Sequence, residues 1–297
     1  MLRFAHGPET LMIGDLEVQR FGYGAMRLPG PGVWGEPEDA ATAHAVLRRA
    51  IEHGINLIDT AWFYGPDVAN RLIVEALHPY PSDLVLATKL GGTRLEDRSW
   101  AAALTPPELR AGAERDLRTL KLDVLPVVHL RWIETSATTF AEALGTLIAM
   151  QVEGKIRHIA LSNVTVAQLE EALATTPIAC VQNVFSMTGA APAGTGHHPT
   201  DAEQVLAICE QRQIPFLPFF PLAVGALAGT GGSTAAAAKR YGCTPSQLAL
   251  AWLLARSPVM LPIPGTSKVA HLDENVGALR IALDPSAVAA LAPNATT

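Results

Sequence analysis

Short apolar runs recur along the chain, and between them lie stretches in which apolar residues return every three or four positions. The runs are Arg20–Met26, Asn56–Ala61, Leu84–Lys89, Val124–Leu130, His158–Asn163, Ile178–Asn183, Pro215–Leu222 and Met260–Pro264. The helical patterns cover Ala40–His53, Val68–Leu77, Pro106–Leu120, Thr138–Glu153, Val166–Ala174, Asp201–Arg212, Pro245–Arg256 and Lys268–Leu279. Strands that read as near-continuous apolar runs are buried on both faces, which antiparallel sheets seldom are. Eight of them, each followed by a helix, predict an α/β fold, a (β/α)8 TIM barrel spanning residues 1–297 as one domain. Ahead of it, Leu11-Met12-Ile13 and Leu16-Glu17-Val18 flank a Gly14-Asp15 turn and predict a short N-terminal β-hairpin over Thr10–Val18. An open doubly wound sheet is the alternative. Its dinucleotide fingerprint is not met, because Gly22-Tyr23-Gly24 runs on to Arg27 where the third glycine belongs. The stretches Leu28–Gly35, Gly189–Pro199 and Gly225–Ala238 are expected to be the least ordered, and all three follow strand ends.

Composition narrows the function. Apolar residues make up 49% of the chain and charged residues 17%, enough for a large core. The net charge of −6, with basic residues scattered, gives no electrostatic reason to expect a nucleic-acid partner. Cys180, Cys209 and Cys243 are odd in number and lack metal spacing, so neither a disulfide framework nor a metal site is expected, and a reducing cytoplasm suits them. The opening residues have no long apolar core, and no run approaches the roughly 18 apolar residues of a membrane span, so neither secretion nor a membrane partner is expected.

In a barrel, polar residues at the carboxyl ends of strands converge on one mouth. Asp59 and Tyr64 follow the second strand, Lys89 ends the third and His129 the fourth; Ser162-Asn163, Gln182-Asn183 and Phe219-Phe220 come at the next three. A lone Lys or His at a strand end is usually a rim residue, but four such groups at successive ends point to chemistry. A phenol with an ordinary pKa near ~10 stays protonated at neutral pH and can give its proton to an oxygen gaining negative charge. A neighbouring ammonium would stabilise the phenolate, a carboxylate would hold the ammonium, and a neutral imidazole would be a second donor to the same oxygen. No side chain supplies a hydride, so a cofactor is required. Ser162, Asn163 and Gln182 match a carboxamide in donors and acceptors, and Phe219 offers a face for a ring. Gly225 and the Pro264–Lys268 segment stand where barrels bind phosphate.

These residues resemble the aldo-keto reductases. The resemblance rests on IDTAWFYG (58–65), ATK (87–89), VVHLR (127–131), GKIRHIALSN (154–163), VQN (181–183), PFFPL (218–222) and IPGTSKVAHLDEN (263–275), in family order over nearly the whole chain. Through GYGAMRLPGPGVWG, FYGPDVANRLIVEALHPY and PFFPLAVG it looks most like the bacterial branch that reduces pyridoxal. The resemblance implies Tyr64 as general acid, Lys89 and Asp59 as the groups that tune it, and His129 orienting the carbonyl. It implies NADPH as cofactor, with NADH a weaker alternative. Gly24, Ala25, Met26, Ser162, Asn163, Gln182, Phe219, Pro221, Leu222, Gly225, Thr266, Ser267, Lys268, His271, Glu274 and Asn275 would bind it. Phe219 stands where tyrosine is common. His271 replaces a frequent arginine, so preference for NADP rests on Ser267 and Lys268. Trp34, Trp62, Phe63, Trp100 and Trp132, with Met187, are the candidate walls of a pocket for a flat aldehyde. The partner is therefore a small carbonyl compound, with pyridoxal leading and a keto-sugar or natural-product carbonyl as the alternative. A regulatory subunit that senses NADPH is the non-enzymatic alternative.

Overall fold

The computed structural model describes residues 2–135, 137–189, 201–222 and 233–292. Strands β1 (Thr10–Ile13) and β2 (Leu16–Gln19) form the expected antiparallel hairpin. The barrel is then laid down in chain order. The first half comprises β3 (Tyr23–Gly24), α1 (Ala40–Glu52), β4 (Leu57–Asp59), α2 (Val68–Leu77), β5 (Val85–Arg94), β6 (Trp100–Ala103), α3 (Pro106–Leu120), β7 (Leu125–Arg131) and α4 (Phe140–Val152). The second half comprises β8 (Ile156–Ser162), α5 (Val166–Thr175), β9 (Val181–Gln182), α6 (Ala202–Arg212), α7 (Ser233–Arg240), α8 (Pro245–Arg256), α9 (Val269–Gly277) and α10 (Pro285–Ala290). Several helix starts are written locally: Thr105, Thr165 and Thr244 form capping boxes with Glu108, Gln168 and Gln247, and Pro106 and Pro245 open their helices.

The parallel path runs β3-β4-β5-β7-β8-β9. The last two staves are held by isolated bridges, the seventh to the sixth through Val181–Phe216 and Val184–Phe219 and the eighth to the seventh through Phe216–Met260. The ring closes where Gly22 and Gly24 donate their N–H groups to Pro262 and Pro264 at 2.9 and 3.3 Å. These staves are far shorter than the runs Pro215–Leu222 and Met260–Pro264 expected from sequence. Pro215, Pro218, Pro221, Pro262 and Pro264 have no N–H to give a ladder, and Phe220, at φ 54°, leaves the extended region. Closure also explains two glycines. A Cβ on Gly24 would stand 2.7 Å from the Ile263 carbonyl, and one on Gly265 would stand 2.6 Å from that of Gly24.

Burial on both strand faces yields two separate apolar clusters. Leu57, Val85, Ala87, Val127, Ala160, Cys180, Leu217 and Leu261 fill the barrel, closed below by Ile13 and Val18 of the hairpin. Ile58, Leu86, Val128, Leu130, Ile159, Leu161 and Val181 point the other way, into the layer beneath the helices. Asp15 ties the plug in place by accepting from Arg157 and from His158 at 2.5 and 2.6 Å.

Three expectations are corrected. β5 runs five residues past Lys89 and turns back as β6, an antiparallel hairpin at the mouth that the apolar pattern does not announce. The 28–35 stretch is built in: Leu28, Pro29 and Gly30 are buried, and Arg94 donates to the Val33 carbonyl at 2.9 Å. The end of the expected 225–238 loop, from Ser233 on, is helical and belongs to α7. Gly225, with residues 223–232, and the 190–199 part of the expected flap lie outside the described residues.

Candidate active site

Side chains in a strand alternate between faces, so the residue two beyond an interior apolar residue also points inward. Leu57 leads to Asp59, Ala87 to Lys89, Val127 to His129 and then Arg131, Ala160 to Ser162, and Cys180 to Gln182. Register joins these into rows: Lys89 lies beside His129, and Arg131 beside Ser162, which in turn lies beside Gln182. The interior is thus apolar below and polar above. Arg131, not singled out in the sequence reading, was legible from this two-residue period.

At the centre of the polar ring Lys89 Nζ donates to Asp59 Oδ2 at 2.5 Å and to the Thr60 carbonyl at 3.1 Å. Gln182 Nε2 donates to the other Asp59 oxygen at 2.8 Å. Lys89 Nζ is 5.1 Å from the centroid of the Tyr64 ring, and all three charged or phenolic groups are buried. Burial holds the Tyr64 phenol above its ordinary range, against the pull of Lys89, so the proton stays on the oxygen at neutral pH. Burial works to strip the Lys89 proton, but the Asp59 carboxylate and the nearby phenol outweigh it and the pKa rises. A permanent ammonium beside a protonated phenol is the outcome. Arg131 adds positive charge near Tyr64 and Asp59.

His129 is fully buried, and burial lowers its pKa to about 4, so the ring is neutral. Its Nδ1 is 3.2 Å from the Thr88 carbonyl, which can only accept; the ring proton therefore sits on Nδ1. Nε2 then accepts from the Cys180 thiol, 3.5 Å away. Both nitrogens are engaged, a difference from the second-donor role expected of His129: to donate to a carbonyl the ring must give up one of these contacts.

Among the carboxamide candidates, Ser162 Oγ is buried with no hydrogen-bond partner. Asn163 is in the left-handed region, at φ 62°, and donates Nδ2 to the Trp132 carbonyl at 2.8 Å. Phe219 is half-buried beside Phe220. Pro221 is buried and Leu222 half-buried. At the last stave Thr266 is buried, its carbonyl accepting from Tyr23 Oη at 2.6 Å, while Ser267, Lys268 and His271 are exposed at the start of α9. Glu274 is turned to Thr244 Oγ1, 2.6 Å away, and Asn275 is buried. Gly24 and Ala25 are buried at the barrel closure, and Met26 is half-buried beside them.

The aromatic candidates divide. Phe63 packs edge-on to Tyr64 and to Trp100, centroids 5.4 and 5.9 Å apart. The Arg94 guanidinium lies 5.3 Å from the Trp34 ring and 4.1 Å from the Trp100 ring, so these two and Phe63 form one wall beside Tyr64. Trp62 packs edge-on to Phe63 at 5.7 Å and also faces Arg115 of α3 at 4.3 Å, and Trp132 packs on Phe140 of α4 at 5.4 Å. Met187 is buried. Among the described residues no group of three or more His, Cys, Asp or Glu could hold a metal, and no helix is long and apolar enough to cross a membrane.

Comparison with known proteins gives the family of the chain. Pyridoxine 4-dehydrogenase of Escherichia coli is 44% identical over 288 residues, 95% of this chain and 96% of that protein. An uncharacterized oxidoreductase of Schizosaccharomyces pombe is 42% identical over 95% of this chain and 88% of its own length. The crystal structure of an aldo/keto reductase from Klebsiella pneumoniae in complex with NADP and acetate superposes with a TM-score of 0.75 at 25% identity, covering 97% of this chain and 98% of that one. The model of the aldo/keto reductase family matches residues 20–293, so the chain is a member of the aldo/keto reductase family.

Proposed function

We propose that this enzyme reduces a small aldehyde with NADPH, that pyridoxal is its substrate and pyridoxine the product, and that Tyr64 supplies the proton. The observation that carries the chemistry is the buried Asp59–Lys89 pair beside the protonated Tyr64 phenol. The substrate rests on 44% identity to a pyridoxine 4-dehydrogenase across nearly the full length of both chains.

The orphaned Ser162 Oγ is the structural sign that the mouth suits a nicotinamide: a buried hydroxyl without a partner fits a carboxamide. Ser162 and Asn163 would hold that group, with Gln182 bracing Asp59 beside them, and Phe219 would cover the ring. Leu222, Thr266, Ser267, Lys268, His271 and Asn275 would line the nucleotide, with exposed Ser267 and Lys268 at the start of α9 suited to a phosphate. The NADP bound by the Klebsiella relative supports the choice of cofactor. When bound, the dihydronicotinamide supplies the hydride.

The chain's own residues do the rest. Tyr64 Oη gives its proton to the carbonyl oxygen as negative charge develops there. Lys89 stabilises the phenolate left behind, and Asp59, held by Gln182, keeps Lys89 charged and aimed. Trp34 and Trp100, bridged by Arg94 and backed by the buried Phe63 ring, edge the mouth beside Tyr64, where an aromatic aldehyde can lie against an indole. A cytoplasmic setting goes with this reading.

The test is NADPH and NADH oxidation, followed optically against pyridoxal, simple aldehydes and keto-sugars. Pyridoxal is expected to give the highest kcat/KM, with NADPH preferred. Turnover of keto-sugars without pyridoxal reduction would overturn the substrate, and tight NADPH binding without turnover of any carbonyl would overturn the reductase reading.

A further inference from the structure

Thr60 follows Asp59 and Thr88 precedes Lys89, so the pleat that sends Asp59 and Lys89 into the barrel sends these threonines outward, against α2 and α3. Behind the wall they meet a buried carboxyl. Asp116, fully buried on α3, accepts from Thr88 Oγ1 at 2.7 Å and from Asn70 Nδ2 at 2.7 Å. Asn70, fully buried on α2, accepts from Thr60 Oγ1 at 2.9 Å and donates to Thr119 Oγ1 at 3.0 Å. The same two threonines carry the carbonyls that engage the reaction site: Thr60 O accepts from Lys89 Nζ at 3.1 Å and Thr88 O from His129 Nδ1 at 3.2 Å.

We propose that Asp116 is a positioning residue: by gripping Thr88 directly, and Thr60 through Asn70, it fixes the two backbone carbonyls that aim Lys89 and His129. The inference rests on the reading of the Lys89 and His129 ring as the reaction site. Asp116 shares the buried face of α3 with Leu109, Gly112, Ala113 and Leu120, where an apolar residue would pack at lower desolvation cost. A carboxyl there gives two acceptor oxygens, one to each arm, which no apolar residue can do. Burial raises its pKa to about 7; the bonds from Thr88 and Asn70 and the charge of Lys89 pull it down, while Asp67 pushes it up. Even protonated, it keeps an acceptor for one arm and can reorganise with the hydroxyl on the other.

Thr88→Val removes one hydroxyl at constant shape, and Asp116→Leu removes both acceptors. Each is expected to lower kcat about ten- to a hundred-fold, as misaimed groups do, with the Kd for NADPH unchanged within about two-fold. Thr88→Ser and Asp116→Asn, which keep a hydroxyl or an acceptor, should retain most of kcat. Histidine ¹⁵N spectra read the aim without turnover: the His129 Nδ1–H signal should shift or broaden in Thr88→Val and Asp116→Leu but hold in Thr119→Val, whose lost hydroxyl accepts from Asn70. Should Thr88→Val keep the wild-type kcat and His129 signals while losing only thermal stability, the network is structural and the proposal fails. Should the wild type reduce no carbonyl, the functional reading fails, and the histidine spectra still decide whether Asp116 aims the ring.

Discussion

Each end of the barrel buries a cation, in different company. At the closed end Arg20 is wholly buried with carbonyls as partners: Met260 at 3.0 Å, Leu254 at 2.6 Å, Ser257 at 2.7 Å and His6 at 2.5 Å. It stitches the N-terminal segment to the end of α8 and the last stave, and burial lowers its pKa to about 10, leaving it charged at neutral pH. At the open end Lys89 is as deeply buried but is paired with a carboxylate, lies beside a phenol, and has a raised pKa. Burial of a charge is common to both. The partners separate a staple, which saturates backbone acceptors, from a group placed to act on a titrating neighbour.

The sharpest way to break that contrast is at Arg20. Arg20→Met leaves several buried carbonyls without donors and is expected to cost about 5 kcal/mol or more, or to abolish folding, while folded protein keeps its kcat. Denaturant unfolding beside active-site titration checks both halves. Asp59→Ala should cost less, about 3–5 kcal/mol, because it strands a single buried ammonium; unlike the Arg20 variant it should also lose most of kcat.

A smaller effect lies in pH. His129 is neutral when folded, with its pKa lowered from 6.5 to about 4, so its contribution is fully present above pH 6.5 and is lost as pH falls toward 4, where the unfolded chain takes up the proton first. Asp116 runs the other way: raised from 3.8 to about 7, its contribution is present below pH 3.8 and is lost as pH rises through 7. The two slopes oppose each other in the wild type. In Asp116→Asn the opposing slope is gone, and Tm should fall more steeply between pH 6.5 and 4 than in the wild type, a difference on the order of 2 kcal/mol. Parallel Tm curves would contradict the assignment.

Much of this was legible because strand period and chemistry coincide. The eight expected helices fall within a residue or two of their spans, though α7 and α10 were not expected, and Asp59, Lys89, His129, Ser162 and Gln182 gather in one ring because each ends an apolar run. Three features were hidden for separate reasons. The seventh and eighth staves shrink to isolated bridges because their prolines cannot donate. The β5–β6 hairpin is carried by Gly91-Gly92 and a Trp-Ala-Ala-Ala strand with no alternation to read. Trp62 and Trp132 also meet a cation on α3 and a ring on α4, contacts that lie far off in sequence and that strand-end position alone does not show. Asp116 was visible in principle, since the 3.6-residue period of α3 puts it on the apolar face, where a carboxyl signals a network.

Proton transfer from Tyr64 is read out by single-turnover NADPH oxidation with pyridoxal in Tyr64→Phe. The expected rate is about 10²- to 10⁴-fold below wild type, with NADPH Kd and Tm nearly unchanged. A Tyr64→Phe enzyme that reduces pyridoxal at the wild-type rate would contradict it.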